Sequence, residues 1–221
     1  MSISKNLQDI YKTLPNSVSL IAVSKTKPLA DILEAYKAGQ RIFGENKIQE
    51  MVQKYEELPK DIKWHMIGVL QRNKVKYMAH FVDLIHGVDS FKTLKEINKQ
   101  ALKHDRIIHC LLQVKIAREE TKFGIAIDEI QNLLSNPELQ NLKNVYISGF
   151  MGMASFTENT EVISSEFQSL KAVFNGFQKQ CTFNFNPTIL SMGMSGDYLL
   201  AIEAGSNMIR VGSAIFGSRN Y

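Results

Sequence analysis

The sequence predicts an α/β fold, a (β/α)8 barrel (TIM barrel) in which eight parallel strands, each followed by a helix, close into a ring. Three observations carry this. Short apolar runs alternate with longer amphipathic stretches eight times over 221 residues with no linker between them, and strands that alternate with helices pair in parallel. The length lies near the small end of the range for such barrels. Most of the chemistry-bearing residues follow the apolar runs, which is where barrels place their working groups.

One short extra N-terminal helix precedes the first unit. The first apolar run, Val18 to Val23, leads to a helical pattern from Pro28 to Ala38 that Gly39 ends. Proline in the first turn and glycine just past the last are the expected asymmetry. The second run is "RIFG" (Arg41 to Gly44), with a helix from Asn46 to Leu58. The third is "IKWHMIG" (Ile62 to Gly68), followed by a basic helix through "QRNKVKYMAHF". The fourth is "VDLIHGV" (Val82 to Val88), with a helix from Ser90, a predicted N-cap, to Lys103. The fifth and longest is "RIIHCLLQVKI" (Arg106 to Ile116), followed by a helical pattern from Asp128 to Leu134. The sixth is "NVYISGFMGMA" (Asn144 to Ala154), with a long helix from Thr160 to Gln180. The seventh is "TILSM" (Thr188 to Met192), with a short helix from Gly196 to Ala204. The eighth is "NMIRVG" (Asn207 to Gly212), and "SAIFGSRNY" closes the chain. The alternative is an open doubly wound sheet. It is disfavoured because no G-x-G-x-x-G turn follows the first strand and no second domain is visible. The expectation is a single domain, 1–221.

Composition is that of an ordinary globular protein, 44% hydrophobic and 22% charged. A net charge of +4, with basic and acidic residues interspersed, gives no footprint for nucleic acid. Cys110 and Cys181 have no metal-ligand spacing, and Cys110 in "IIHCLLQV" reads as an inert core thiol. No metal is expected. Neither a signal peptide nor a membrane span is legible, so the expected protein is soluble, reduced and cytoplasmic, without nucleic-acid or membrane partners.

The strand ends place unusual chemistry on one face. Lys25 and Lys27 follow strand one in "IAVSKTKP", and Glu45 and Asn46 follow strand two. His65, with Gln71 and Asn73 beyond, belongs to strand three, His86 to strand four and Lys115 to strand five. Strand seven runs into "SMGMSGD", with Gly193, Ser195 and Gly196. Strand eight runs into "RVGS", with Gly212 and Ser213. Barrels often bind phosphate in these last two loops, where glycines admit close backbone approach and N–H and hydroxyl groups donate. A lysine facing a phosphate cradle suggests pyridoxal 5'-phosphate (PLP), whose aldehyde forms a Schiff base with lysine. Lys27, placed on the same side of the strand as Lys25, would be a second cation favouring the neutral amine. Arg210 would point into the mouth and face the pyridine nitrogen.

The motifs "AVSKTKP", "FGEN", "WHMIGVLQRNK", "KFG", "SMGMSGD" and "IRVGSAIFG" occur in this order along nearly the whole chain. Together they resemble the pyridoxal phosphate homeostasis protein family, related to the N-terminal barrel of alanine racemase (PLP fold type III). The resemblance implies that Lys25 holds PLP as a Schiff base and that Ser195, Gly212 and Ser213 hold the phosphate. It also implies that Arg210 faces the pyridine nitrogen and that Asn46 lines the pocket. Two departures stand out. Val69 replaces a proline frequent in the family, and "GFMGMASF" replaces a common "GLM" after strand six, which places a difference in the pocket wall.

His65 and His86 are read as hydrogen-bonded core groups rather than catalysts. Lys74 and Lys76 are read as a solvated helix face. Racemisation needs a second base across the substrate, which alanine racemases take from an added domain. None is visible here, so a monomer is expected. The leading expectation is a protein that carries or buffers PLP in vitamin B6 homeostasis and supplies PLP-dependent apoenzymes, without established turnover. The alternative is a weak PLP-dependent amino-acid racemase with Lys25 as one base.

Overall fold

The structure, a computed structural model, describes residues 2–119 and 123–217. Eight strands, β1 (Ser19–Val23), β2 (Ile42–Glu45), β3 (Lys63–Met66), β4 (Leu84–Val88), β5 (Ile108–Gln113), β6 (Val145–Met151), β7 (Phe185–Ser191) and β8 (Met208–Val211), close into one parallel barrel in chain order, with β8 pairing back onto β1. The helices are α1 (Ile3–Thr13), α2 (Leu29–Lys37), α3 (Ile48–Glu57), α4 (Phe91–Leu102), α5 (Ile130–Leu134), α6 (Thr160–Phe177), α7 (Tyr198–Glu203) and α8 (Ser213–Phe216). Among the described residues no helix is long and apolar enough to cross a membrane.

Local chemistry explains the helix boundaries. Ser2, Ser90 and Asn159 each accept backbone N–H bonds at the starts of α1, α4 and α6. Gly39, at φ +102°, turns the chain out of α2. Alternation along the strands then sorts the core into two parts. Ile21, Leu84, Leu111, Met151 and Met208 form a small cluster, the plug inside the barrel. Their neighbours, among them Ala22, Phe43, Trp64, Ile85, Cys110, Phe150 and Ile209, belong to the larger layer between strands and helices. Cys110 is a buried free thiol whose pKa burial pushes up, which leaves it inert.

The sequence expectation of eight β/α units holds, with four local corrections. The expected basic helix after β3 is a 3-10 segment, Arg72–Tyr77, because only Val75 in it is buried and no apolar stripe holds a full α-helix. The fifth strand stops at Gln113, where the chain turns to bridge Val114 to Ile125, so Lys115 lies beyond it. The fifth helical pattern divides into a 3-10 turn, Ile127–Glu129, and the short α5. β7 begins at Phe185, earlier than expected, because Pro187 sits inside it.

Proline cannot donate to a ladder, and the β6–β7 register accommodates it. Ile147 pairs with Phe185 and Gly149 with Ile189, so Asn186, Pro187 and Thr188 stand opposite Ser148 alone. Gly149 has φ +150°, and a Cβ there would lie 1.9 Å from the Ile189 carbonyl oxygen.

Two features fix the ring where the site forms. The β7–β8 pairing is thin, with Ser191 opposite Met208, and side chains stitch it. The Ser206 hydroxyl lies 2.9–3.1 Å from the carbonyl oxygens of Leu190, Met192 and Met208 and donates its one hydrogen among them, and Asn207 takes Leu190 N–H and gives to the Thr188 carbonyl. On the other side, a buried charge cluster clamps the end of β1. Lys54, 5% exposed, donates to the Ser24 carbonyl at 2.8 Å, Glu45 Oε1 at 2.8 Å and Glu50 Oε1 at 2.7 Å. Ser24 Oγ donates to Glu45 Oε1 at 2.5 Å, and Thr26 N–H donates to Glu50 Oε1 at 2.5 Å. The clamp therefore grips the residues on both sides of Lys25.

Gly149→Ala is expected to lower stability by about 3 kcal/mol or more, since backbone must move. A drop in Tm of roughly 10 °C in thermal melts is the readout. Gly176→Ala, in exposed α6 with nothing within 4 Å of the new carbon, is expected to be neutral or stabilising by up to about 1 kcal/mol. Burial pushes Glu45 up from 4.5 to about 7, against the opposing pull of Lys54. Between those values the native state keeps a proton that the unfolded chain has released, so this group's contribution falls as pH rises from 4.5 to 7 and is level above. Denaturant melts of wild type and Glu45→Gln across that window are expected to show their stability difference shrinking by about 3 kcal/mol.

Candidate functional site

At the C-terminal mouth of the barrel lies a cavity of about 580 Å³. Lys25, Lys27, Asn46, Ser195, Arg210, Gly212 and Ser213, the seven residues singled out from the sequence, all line it. They come from opposite ends of the chain. Closure of β1 onto β8 brings them together, with Ile21 opposite Arg210 and Ala22 opposite Val211.

The two lysines reach the cavity differently from the expectation. β1 ends at Val23, and Lys25 and Thr26 form a turn closed by a Lys27 N–H bond to the Ser24 carbonyl at 3.0 Å. Thr26 has φ +66°, in the left-handed region. Lys27 is therefore not on the strand beside Lys25, because the ladder has already ended. Its ammonium donates to the carbonyls of Phe216 at 2.9 Å and Gly217 at 3.2 Å, the C-terminal end of α8. Lys27 ties the first loop to the last.

Across the mouth, Ser195 Oγ accepts the Gly212 N–H at 3.1 Å and the Ala214 N–H at 3.4 Å. Both N–H groups converge on Ser195 Oγ, and Ser195, Gly212 and Ser213 line one corner of the cavity. Gly212 lies close under β1, where a side-chain carbon would approach the Val23 carbonyl oxygen at 3.2 Å. Gly193 shapes the loop before this corner with φ +94°, and the Asp197 carboxylate holds the Met194 N–H at 2.5 Å.

Arg210 forms the floor. It is 4% exposed, donating from Nη1 to Ser191 Oγ at 2.6 Å and from Nη2 to the Gly152 carbonyl at 2.9 Å. Burial pushes its pKa down to about 10, opposed by the charge of Asp197, so it remains a cation at neutral pH. His65 and His86 lie below it, buried and bonded to each other at 3.1 Å, the hydrogen-bonded core groups expected. Neither they nor Lys115 line the cavity, and Gln71, which caps the 3-10 segment after β3, and Asn73 within it lie outside the cavity too.

Several lining residues escaped the sequence reading. Gln113 ends β5, is 3% exposed and donates to the Phe123 carbonyl at 2.9 Å. A polar residue two positions after inward-facing Leu111, in an otherwise apolar run, was the signal that could have found it. Val69, Phe123, Met153, Phe156 and Met194 also line the cavity, and Phe156 is 95% exposed. Both departures from the family pattern, Val69 and the segment after β6, thus face the cavity. Of the "KFG" motif, Lys122 lies outside the described residues, while Phe123 lines the mouth. Among the described residues no cluster of histidine, cysteine or acidic side chains is arranged to hold a metal.

Comparison with known proteins agrees with this architecture. The family described as "Alanine racemase, N-terminal domain" matches residues 1–220. The pyridoxal phosphate homeostasis protein of Haemophilus influenzae is 39% identical, covering 93% of this chain and 87% of that protein. That of Synechocystis is 40% identical, covering 96% of each. Among solved structures, PipY of Synechococcus elongatus with PLP bound superposes with a TM-score of 0.88 at 36% identity, covering 98% of this chain and 100% of that one. Alanine racemase from E. faecalis shares the fold, with a TM-score of 0.72 at 18% identity, and the match spans 58% of that chain. A barrel of this order, continuous similarity over its full length and a mouth lined by the motif residues place the chain together: it belongs to the pyridoxal phosphate homeostasis protein family, built on the alanine racemase N-terminal domain.

Proposed function

We propose that the protein binds pyridoxal 5'-phosphate in the mouth of its barrel and holds it in custody for intracellular vitamin B6 homeostasis. The observation that carries this reading is the convergence of Lys25, the Ser195 and Gly212–Ser213 loops and the buried Arg210 guanidinium on one cavity of about 580 Å³. The donor set fits the cofactor at both ends. Ser195, Gly212 and Ser213 line the wall where a phosphate would sit, and a phosphate there would take over the Gly212 N–H that Ser195 Oγ now accepts. Lys25 offers the amine that condenses with an aldehyde, losing water as the carbon–nitrogen double bond forms. Arg210 would meet the ring nitrogen as a donor and keep it unprotonated.

When bound, PLP can act as an electron sink for amino-acid chemistry. A donor-only arginine at the ring nitrogen weakens that sink, which favours storage over turnover. Asn46 shapes the wall beside β2, where a Cβ on Gly68 would lie 2.4 Å from the Asn46 carbonyl oxygen. Ser213 borders the phosphate corner. Lys27, bound by the α8 carbonyls, closes the site by holding the α8 end against the first loop as well as adding positive charge. We take the functional unit as a single cytoplasmic barrel, 1–221, acting as a monomer and passing PLP to PLP-dependent apoenzymes. The names of the relatives and the PLP-bound neighbour support PLP binding and a part in PLP homeostasis.

Purified protein mixed with PLP is expected to develop the visible absorbance of a lysine-bound cofactor, and Lys25→Ala is expected to lose it. A band that persists unchanged in Lys25→Ala would refute the assignment. Ser195→Ala is expected to keep the band and weaken PLP affinity about tenfold, the scale of one hydrogen bond to a charged group, measured by titration. Steady-state interconversion of alanine enantiomers that disappears in Lys25→Ala would replace custody with catalysis.

A further inference from the structure

A continuous chain of hydrogen bonds runs from Arg210 through the barrel to the opposite face. Arg210 Nη1 lies 2.6 Å from Ser191 Oγ, and Ser191 Oγ lies 3.2 Å from His86 Nδ1. His86 Nε2 lies 3.1 Å from His65 Nδ1, and His65 Nε2 lies 3.3 Å from Asp83 Oδ2. Ser191 and His86 are fully buried and His65 is 2% exposed, whereas the Asp83 side chain is 46% exposed, just before β4 at the N-terminal face. The chain therefore begins at the cavity and ends in solvent.

Its direction follows from the chemistry of its two ends. A guanidinium only donates, so Ser191 Oγ accepts from Arg210 and turns its own hydrogen to His86 Nδ1. A neutral His86 accepting at Nδ1 carries its proton on Nε2 and donates to His65 Nδ1. His65, accepting there, carries its proton on Nε2 and donates to Asp83, which as a carboxylate only accepts. Both ends impose the same direction. Reversal would require a proton on Asp83.

The surrounding charges suit this assignment. Burial pushes both histidines down, His86 well below the ordinary histidine value, with His65 and Arg210 adding to the effect on His86. The bond from His65 pulls Asp83 down, aided by Lys63 of β3 and His109 of β5. Arg210 itself forms no ion pair within 4 Å among the described residues, and Asp197 acts on it only at longer range.

We propose that Asp83, His65, His86 and Ser191 are positioning residues for Arg210: a one-way hydrogen-bond relay that links the exposed carboxylate of the closed end to the guanidinium in the cavity. Its bearing on the cofactor rests on the reading that Arg210 faces the PLP ring. Ser191 fixes one edge of the guanidinium, and the bonds behind it keep the Ser191 hydrogen from turning toward the cavity. The remaining Arg210 donors are left for the ligand.

Two measurements test it. Nitrogen-15 NMR of histidine-labelled protein without cofactor is expected to show His65 and His86 neutral and protonated on Nε2 at pH 7. A proton on Nδ1 of either would overturn the relay. PLP titration is then expected to show about five- to tenfold weaker binding in Asp83→Ala and in Ser191→Ala, with melts confirming that both fold. Because links of one relay fail as a unit, the double variant is expected to bind no more weakly than Ser191→Ala. Unchanged affinities, or losses that multiply, would overturn the coupling. If wild type took up no PLP, the functional reading would fail and the coupling with it, whereas the histidine signals would still report on the relay.

Discussion

The pairing of β8 with β1 turns a row of separate loops into one site. Lys25 follows the first strand and Gly212 the last, so a long stretch of chain must be ordered before they meet, and loop-closure entropy opposes that meeting. The Ser19–Ala22 and Met208–Val211 pairing supplies the hydrogen bonds that overcome it. Lys27 reinforces the same junction from the first loop by binding the carbonyls at the end of α8. Without this closure Lys25 and the Ser195–Gly212 corner would have no common cavity.

Two buried cations support the site and are accommodated in opposite ways. Lys54 sits among carboxylates and a carbonyl, which offset the cost of removing an ammonium from water. Arg210 instead rests on a hydroxyl and a carbonyl, both neutral. A guanidinium tolerates this because its proton is held so tightly that even a value near 10 leaves it charged. One cation is neutralised within the wall of the barrel; the other remains a directed charge facing the cavity.

Much of this was legible in the sequence. The barrel could be read because its strands and helices have different periods and the punctuation between them is clear. Lys25, Ser195 and Gly212 could be read because loop chemistry stands out against apolar runs, and Arg210 because a charge stands out within the apolar run of β8. Other features left little trace. The left-handed residue in the turn after β1 is Thr26 rather than glycine, so nothing marked the end of the ladder there. Pro187 masked the first half of β7, because its strand persists only through a bulge that Gly149 on a neighbouring strand permits. Gln113 was hidden by the apolar residues around it, although its alternation with Leu111 pointed inward. The relay beneath Arg210 could not be read at all, since hydrogen-bond partners on different strands depend on register.

The thin β7–β8 pairing has a consequence for how the barrel tolerates inheritance. A ladder of backbone bonds is indifferent to side-chain identity, so most joints in such a ring can drift in sequence while keeping their shape. This joint has backbone bonds from Asn207 N–H to the Leu190 carbonyl, Met192 N–H to the Met208 carbonyl and Arg210 N–H to the Gly193 carbonyl, and the side chains of Ser206 and Asn207 add to them. A substitution at either position would remove the side-chain part of that joint. The joint also links the strands that carry Ser191 and Arg210, so such a change would reach the cavity floor through the architecture.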